Sequence, residues 1–172
     1  MRKSSFSFVS SDSRLGFLKR IYDPGEYCFS FVGELEHLSK LQFTLESGSF
    51  QDCMANDTIS MPCFSKSFTD LAIQMFTEFS RIPSCDSKVN DSFFVFLDPP
   101  FEDCLDEKST WIGASIRKPY IRSDFSTQAP IFRIKGQEYG ARFVVSNTFR
   151  EWVELQSFTG FSFSDIEFPS KE

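Results

Sequence analysis

The chain is poor in the residues that usually do chemistry. One histidine, His37, occurs among 172 residues, so any histidine-based acid and base mechanism has to run through it. His37 sits between Glu36 and Leu38, with neither a Gly-x-Ser-x-Gly elbow nor a local Cys-His signature beside it. It is read as a surface histidine. The five cysteines, Cys28, Cys53, Cys63, Cys85 and Cys104, are scattered, odd in number and free of any Cys-x-x-Cys pair, which argues against structural zinc and against a secreted disulfide framework. Gly136 and Gly140 stand isolated, no Gly-x-Gly-x-x-Gly occurs and the Walker lysine is missing, so no nucleotide cofactor is indicated. The longest clear apolar run is Phe93-Phe94-Val95-Phe96-Leu97, far short of the roughly 20 residues that cross a bilayer as a helix. The basic start Met1-Arg2-Lys3 is followed by serines where a signal peptide needs continuous apolar residues, and an untargeted, cytoplasmic protein is expected. A low-complexity linker is also lacking, so a single domain over residues 1–172 is expected.

What is abundant is phenylalanine. Twenty-three phenylalanines against four tyrosines and two tryptophans make ring burial, at about 150 Å² or more per ring, the main source of folding free energy. Hydrophobic content of 41% with 24% charged residues is that of a globular chain, too apolar to stay disordered. The formal charge of −6 repels nucleic acid and anionic membranes and draws basic partners at a rate that falls with salt. Neither nucleic acid nor a membrane is therefore expected as a partner.

Alternation at Phe6/Phe8, Tyr27/Phe29/Phe31 and Phe161/Phe163 has the period of strands with one face on a core. Phe68, Leu71, Ala72, Met75, Phe76 and Phe79 fall instead at helical spacing; Ser65 or Ser67 starts that helix, a Ser67/Asp70 pair supports the start, and Pro83 follows its end. A second helix is expected from about Asn147 to Gln156, capped by Ser146 or Asn147, with Phe149, Trp152 and Val153 buried and Gly160 as its stop. Glu34 to Leu41 reads as a helix or an edge strand. Both main helices follow an apolar residue and a serine, a faint internal echo that the common strand-to-helix capping pattern accounts for. The expected fold class is α+β, a mostly antiparallel sheet with two or three packed helices.

The most distinctive charged feature is the run Asp98, Glu102, Asp103, Asp106, Glu107, five carboxylates in ten residues with no base among them. A calcium loop needs acids at alternate positions and a central glycine, which the run lacks. It is either a solvated loop or a patch that seats a basic protein partner, with Phe101 as the apolar anchor. Arg117, Lys118 and Arg122 follow closely enough to neutralise it within the fold. Glu26/Glu34 and Glu151/Glu154 are carboxylate pairs without a cleft to make them glycosidase-like.

Several segments, in this order and spacing, resemble the immunity proteins of bacterial polymorphic toxin systems, in particular the immunity family numbered eleven. They are Met61-Pro62-Cys63-Phe64-Ser65 with its helix to Phe79, Ile82-Pro83-Ser84, Phe93–Leu97, Cys104-Leu105-Asp106-Glu107-Lys108-Ser109, Ile131-Phe132-Arg133-Ile134, Phe143-Val144-Val145-Ser146 and Thr159-Gly160-Phe161-Ser162-Phe163. Together they span about residues 60–168. The resemblance implies a single-domain α+β protein, not an enzyme, that binds and blocks a cognate protein toxin made by the same cell; from the residues themselves no cofactor or metal is expected. In it the Leu105–Ser109 segment and the Thr159-Gly160-Phe161 ending are fold-building elements. Asp98, Phe101, Glu102, Asp103, Asp106 and Glu107 are the toxin-binding candidates, taken from charge density alone. The competing readings are a small hydrolase using Cys28 or Cys63 with His37, and a structural subunit of a larger complex. Oligomeric state is not legible in the chain.

Overall fold

In a computed structural model of the chain, residues 5–21, 42–56, 61–113, 115–137 and 143–166 are described. The strand expected at Tyr27/Phe29/Phe31, the Glu34–Leu41 element, Cys28, His37 and Gly140 lie outside them. The fold is α+β and its sheets are mostly antiparallel.

One sheet has five strands in the order β13-β1-β12-β11-β8, formed by Phe161–Asp165, Phe6–Ser11, Phe143–Ser146, Ile131–Ile134 and Phe101–Glu102. Only its last pair, β11 with β8, is parallel. A second sheet has six strands in the order β3-β2-β4-β5-β7-β6: Gln42–Gly48, Gly16–Ile21, Cys53–Asn56, Cys63–Ser65, Ser92–Leu97 and Ser84–Val89. Its outermost strands, β3 and β6, lie alongside each other, so the sheet curls towards a barrel. A two-stranded hairpin, β9 (Thr110–Ile112) with β10 (Ser115–Lys118), forms a separate ladder and packs Ile116 on the five-stranded sheet.

Phe93 to Leu97 shows why the longest apolar run is a strand. The middle of β7 is buried on both faces, as happens when a sheet is covered on each side. Phe94 and Phe96 point into the curl with Leu18, Phe43, Met54, Cys63 and Val89, and the rings of Phe43 and Phe96 stack there at 4.8 Å. Val95 and Leu97 point outwards, into the main core shared with the helices and with Val9, Ile131, Phe143 and Val145 of the five-stranded sheet. The opposite face of that sheet carries Phe6, Phe8, Phe132, Ile134 and Val144, covered by Cys104, Ile116 and Ile121.

Helix α1 (Lys66–Met75) and helix α2 (Asn147–Leu155) begin in the same way. In each, the serine ending a strand, Ser65 or Ser146, accepts a hydrogen bond on Oγ from the backbone N–H three residues on, Phe68 or Phe149, at 3.2 Å. This satisfies one of the donors that a helix start leaves open. Both of those phenylalanines are fully buried, and their rings meet edge to face at 6.2 Å. Of the two serines expected to start α1, Ser65 is the cap. The expected buried stripe is corrected, because Leu71 and Met75 are 45% and 57% exposed. The helix also stops at Met75; Phe76 is extended, and a 3-10 turn, Thr77–Arg81, carries Phe79 into the core.

Asp52 joins the ends of these elements. Its Oδ1 accepts from the Ser65 hydroxyl at 2.9 Å, and its Oδ2 accepts from the Thr159 backbone N–H at 2.9 Å and the Thr159 hydroxyl at 3.2 Å. The Thr159–Gly160 turn is thus tied to the start of α1 through the approach to β4.

Candidate functional site

The acidic run is not one loop. Asp98 follows β7, Pro99 and Pro100 extend the chain, and Phe101–Glu102 forms β8 against the edge of β11. A proline pair suits this place, because a strand's beginning at a sheet edge tolerates missing N–H groups. The Pro100 and Glu102 carbonyls accept from the N–H groups of Arg133 and Lys135 at 2.8 and 3.0 Å.

Arg133 holds the first half of the run together. Its guanidinium pairs with the Asp98 carboxylate, its Nε donates to the Pro99 carbonyl at 2.8 Å, and its Cζ lies 3.9 Å from the centre of the Phe101 ring. With 11% of its side chain exposed, Arg133 is largely withdrawn from water, a position that a guanidinium keeps only with its charge and donors matched. Phe101, 41% exposed, is thereby fixed from beneath and open above.

Phe101 and Arg133 both line a cleft of about 620 Å³. Ile82 and Pro83 come from the segment after the 3-10 turn, Thr127 and Ala129 from the approach to β11, and Glu78 and Arg81 from the turn itself. Arg81 is paired with Glu78 at 2.7 Å. Glu102 accepts the Thr127 hydroxyl on Oε1 at 3.0 Å and has no ion-pair partner among the described residues.

Of the six candidates, the structure therefore brings together Asp98, Phe101 and Glu102. The other three lie outside the cleft lining. Asp103, 72% exposed on its side chain, is 3.8 Å from Arg122. Asp106 accepts the Lys108 N–H at 3.0 Å in a turn, and Glu107 is exposed at that turn. Of the three bases that follow the run, Arg122 partly neutralises it through Asp103 and is shared with Asp124 at 3.6 Å. Ser109 closes the Asp106 turn and exchanges hydrogen bonds with the Tyr120 backbone at 3.0 and 3.1 Å.

The residue that sequence reading missed is Arg133. A signal was present, for a lone cation inside the apolar strand Ile131-Phe132-Arg133-Ile134 has to find a counter-charge, and the nearest dense supply is the acidic run.

Cys63 is withdrawn from solvent in this fold. It is fully buried, and desolvation pushes its thiol well above the ordinary range, with nearby Cys53 and Cys85 adding to the effect. Burial also raises Cys53, Cys85 and Cys104, the last two to about 11. Because only the thiolate attacks, native Cys53 and Cys63 should react with iodoacetamide at pH 7.5 at least about a hundredfold more slowly than in denaturant. Timed quenching and peptide mass mapping would measure this; rapid native labelling of Cys63 would contradict the buried assignment. Among the described residues, no group of three or more histidine, cysteine or acidic side chains is placed to hold a metal ion. No helix among them is long and apolar enough to cross a membrane.

Comparison of the chain with protein-family models finds no match, and comparison with curated proteins finds none either.

Proposed function

We propose that this protein is an immunity-type binding protein, which neutralises a cognate toxin by stoichiometric association and not by turnover. The observation that carries the reading is the Phe101 face, held rigid by Arg133 and Asp98 at the mouth of a cleft beside further exposed carboxylates. Interface hot spots favour a preorganised aromatic anchor within a polar rim, and fixing the anchor beforehand lowers the entropy lost on binding. Acidic residues on the rim would steer a basic partner and set the salt dependence of its capture. The residue pattern of residues 60–168 supports the same reading.

The test is a pull-down of tagged protein from its native cell lysate at low and high salt, followed by co-expression of any stoichiometric partner with and without this chain. A partner whose isolated domain is toxic, and whose toxicity this chain relieves, is the expected result. Substituting Asp103→Lys and Glu107→Lys, while sparing the turn-forming Asp106, should slow association by about tenfold at low salt and flatten the salt dependence. Unchanged inhibition and salt dependence in that variant would remove the Asp103–Glu107 rim from the interface.

A further inference from the structure

Three properties of the cleft specify its occupant more closely than charge density does. The first is backbone direction. Pro100 and Glu102 turn their carbonyls to β11, so strand alternation turns the N–H and C=O of Phe101, the residue between them, to the opposite side. Neither group has a hydrogen-bond partner among the described residues. This is an open edge of the five-stranded sheet, and it faces away from β11.

The second property is rigidity. Pro83, Pro99 and Pro100 line the cleft together with Phe101, and Arg133 fixes that ring from below. The third is local charge. Arg81 is taken up by Glu78 and Arg133 by Asp98, which leaves Glu102 as the lining ionic group without a counter-charge among the described residues. A volume of about 620 Å³ lies within the span that ligand sites occupy.

The geometry points to an extended, basic polypeptide segment as the occupant, added as a short strand along the outer edge of β8, with a lysine or arginine placed on Glu102 and its neighbouring side chain on the open face of Phe101. Strand addition supplies main-chain hydrogen bonds to Phe101, while the pockets on either side select alternate side chains. The inference deepens the binding-protein reading and rests on it for the identity of the natural segment. The binding chemistry itself is testable on the protein alone.

The probes are three blocked pentapeptides: alternating valine and lysine, alternating valine and glutamate, and the lysine peptide with its central amides N-methylated. Each is titrated into isotope-labelled full-length protein and followed by NMR. The lysine peptide should shift the amide signals of Phe101, Glu102 and Thr127, and the glutamate and N-methylated peptides should bind about tenfold more weakly or worse. Glu102→Gln keeps an acceptor for the Thr127 hydroxyl, so the fold is retained, and it should weaken the lysine peptide by about tenfold. Binding that is indifferent to N-methylation or to E102Q, or no binding at several millimolar, overturns the inference. If the lysine peptide binds as expected while no toxin is captured from lysate, the cleft assignment stands and the immunity reading falls. Toxin capture without peptide binding has the reverse meaning.

Discussion

Gly160→Ala is expected to cost about 2–5 kcal/mol of stability, the sum of a left-handed backbone penalty of about 1–2 and an overpacking penalty of about 1–3. Gly160 has φ +83°, and a Cβ placed on it would lie 2.1 Å from the Cys53 carbonyl oxygen and 2.8 Å from Gln51 Cβ. The obstructing oxygen is backbone, so no side-chain rotation relieves the contact. Relief means lifting the Thr159–Gly160 turn off β4, and the same movement stretches the Asp52 bonds to Thr159 and the bond from the Cys53 N–H to the Thr159 carbonyl at 3.0 Å. Gly113→Ala is the control. It has a similar φ of +58° with nothing within 4 Å of the added carbon, and should cost only the backbone part. Urea denaturation followed by circular dichroism separates the two, and equal losses would show that the close approach to Cys53 contributes nothing.

Legibility in the sequence followed how locally each element is determined. The two helices were readable because a serine cap and a repeating apolar stripe sit within a dozen residues of each other, and both caps operate through the same bond to the third residue on. The run Phe93 to Leu97 was legible as the longest apolar stretch, too short to cross a bilayer as a helix. Its two-faced burial depends on a sheet that curls and on helices packed outside it, which no local pattern encodes. Leu71 and Met75 looked like core because spacing reports a face and not how far the neighbouring core reaches; the buried centre of that face is Phe68 and Ala72. The cleft was the least legible part. The parallel pairing of β8 with β11 joins residues more than thirty positions apart through a two-residue strand, too short to show a period. Charge density did single out Asp98, Phe101 and Glu102, but it gave equal weight to Asp103, Asp106 and Glu107, since composition cannot tell a carboxylate at a cleft from one in a solvated turn.

Phe68→Ala should remove about 3–5 kcal/mol, the usual cost of deleting a large ring from a core that cannot collapse around the gap. Its side chain has 0% exposure, and its ring is neighbour to those of Phe64, Phe79, Phe149, Trp152, Phe158 and Phe161, with centroids between 4.8 and 6.4 Å away. Those six rings come from β5, the 3-10 turn, α2, the turn beyond it and β13. Collapse around an alanine would need elements of both large sheets to move together, and close-packed interiors resist that. Phe68→Leu keeps part of the volume and should lose distinctly less. Phe93→Ala, on the same protein but at a ring 54% exposed, should cost well under half of the Phe68→Ala value. For a chain of 172 residues, the Phe68→Ala loss corresponds to a fall in Tm of about 6–20 °C at roughly 2–4 °C per kcal/mol, measurable by calorimetry. If Phe68→Ala and Phe93→Ala proved equally mild, the aromatic cluster would not be the joint that holds the two sheets and the helices together.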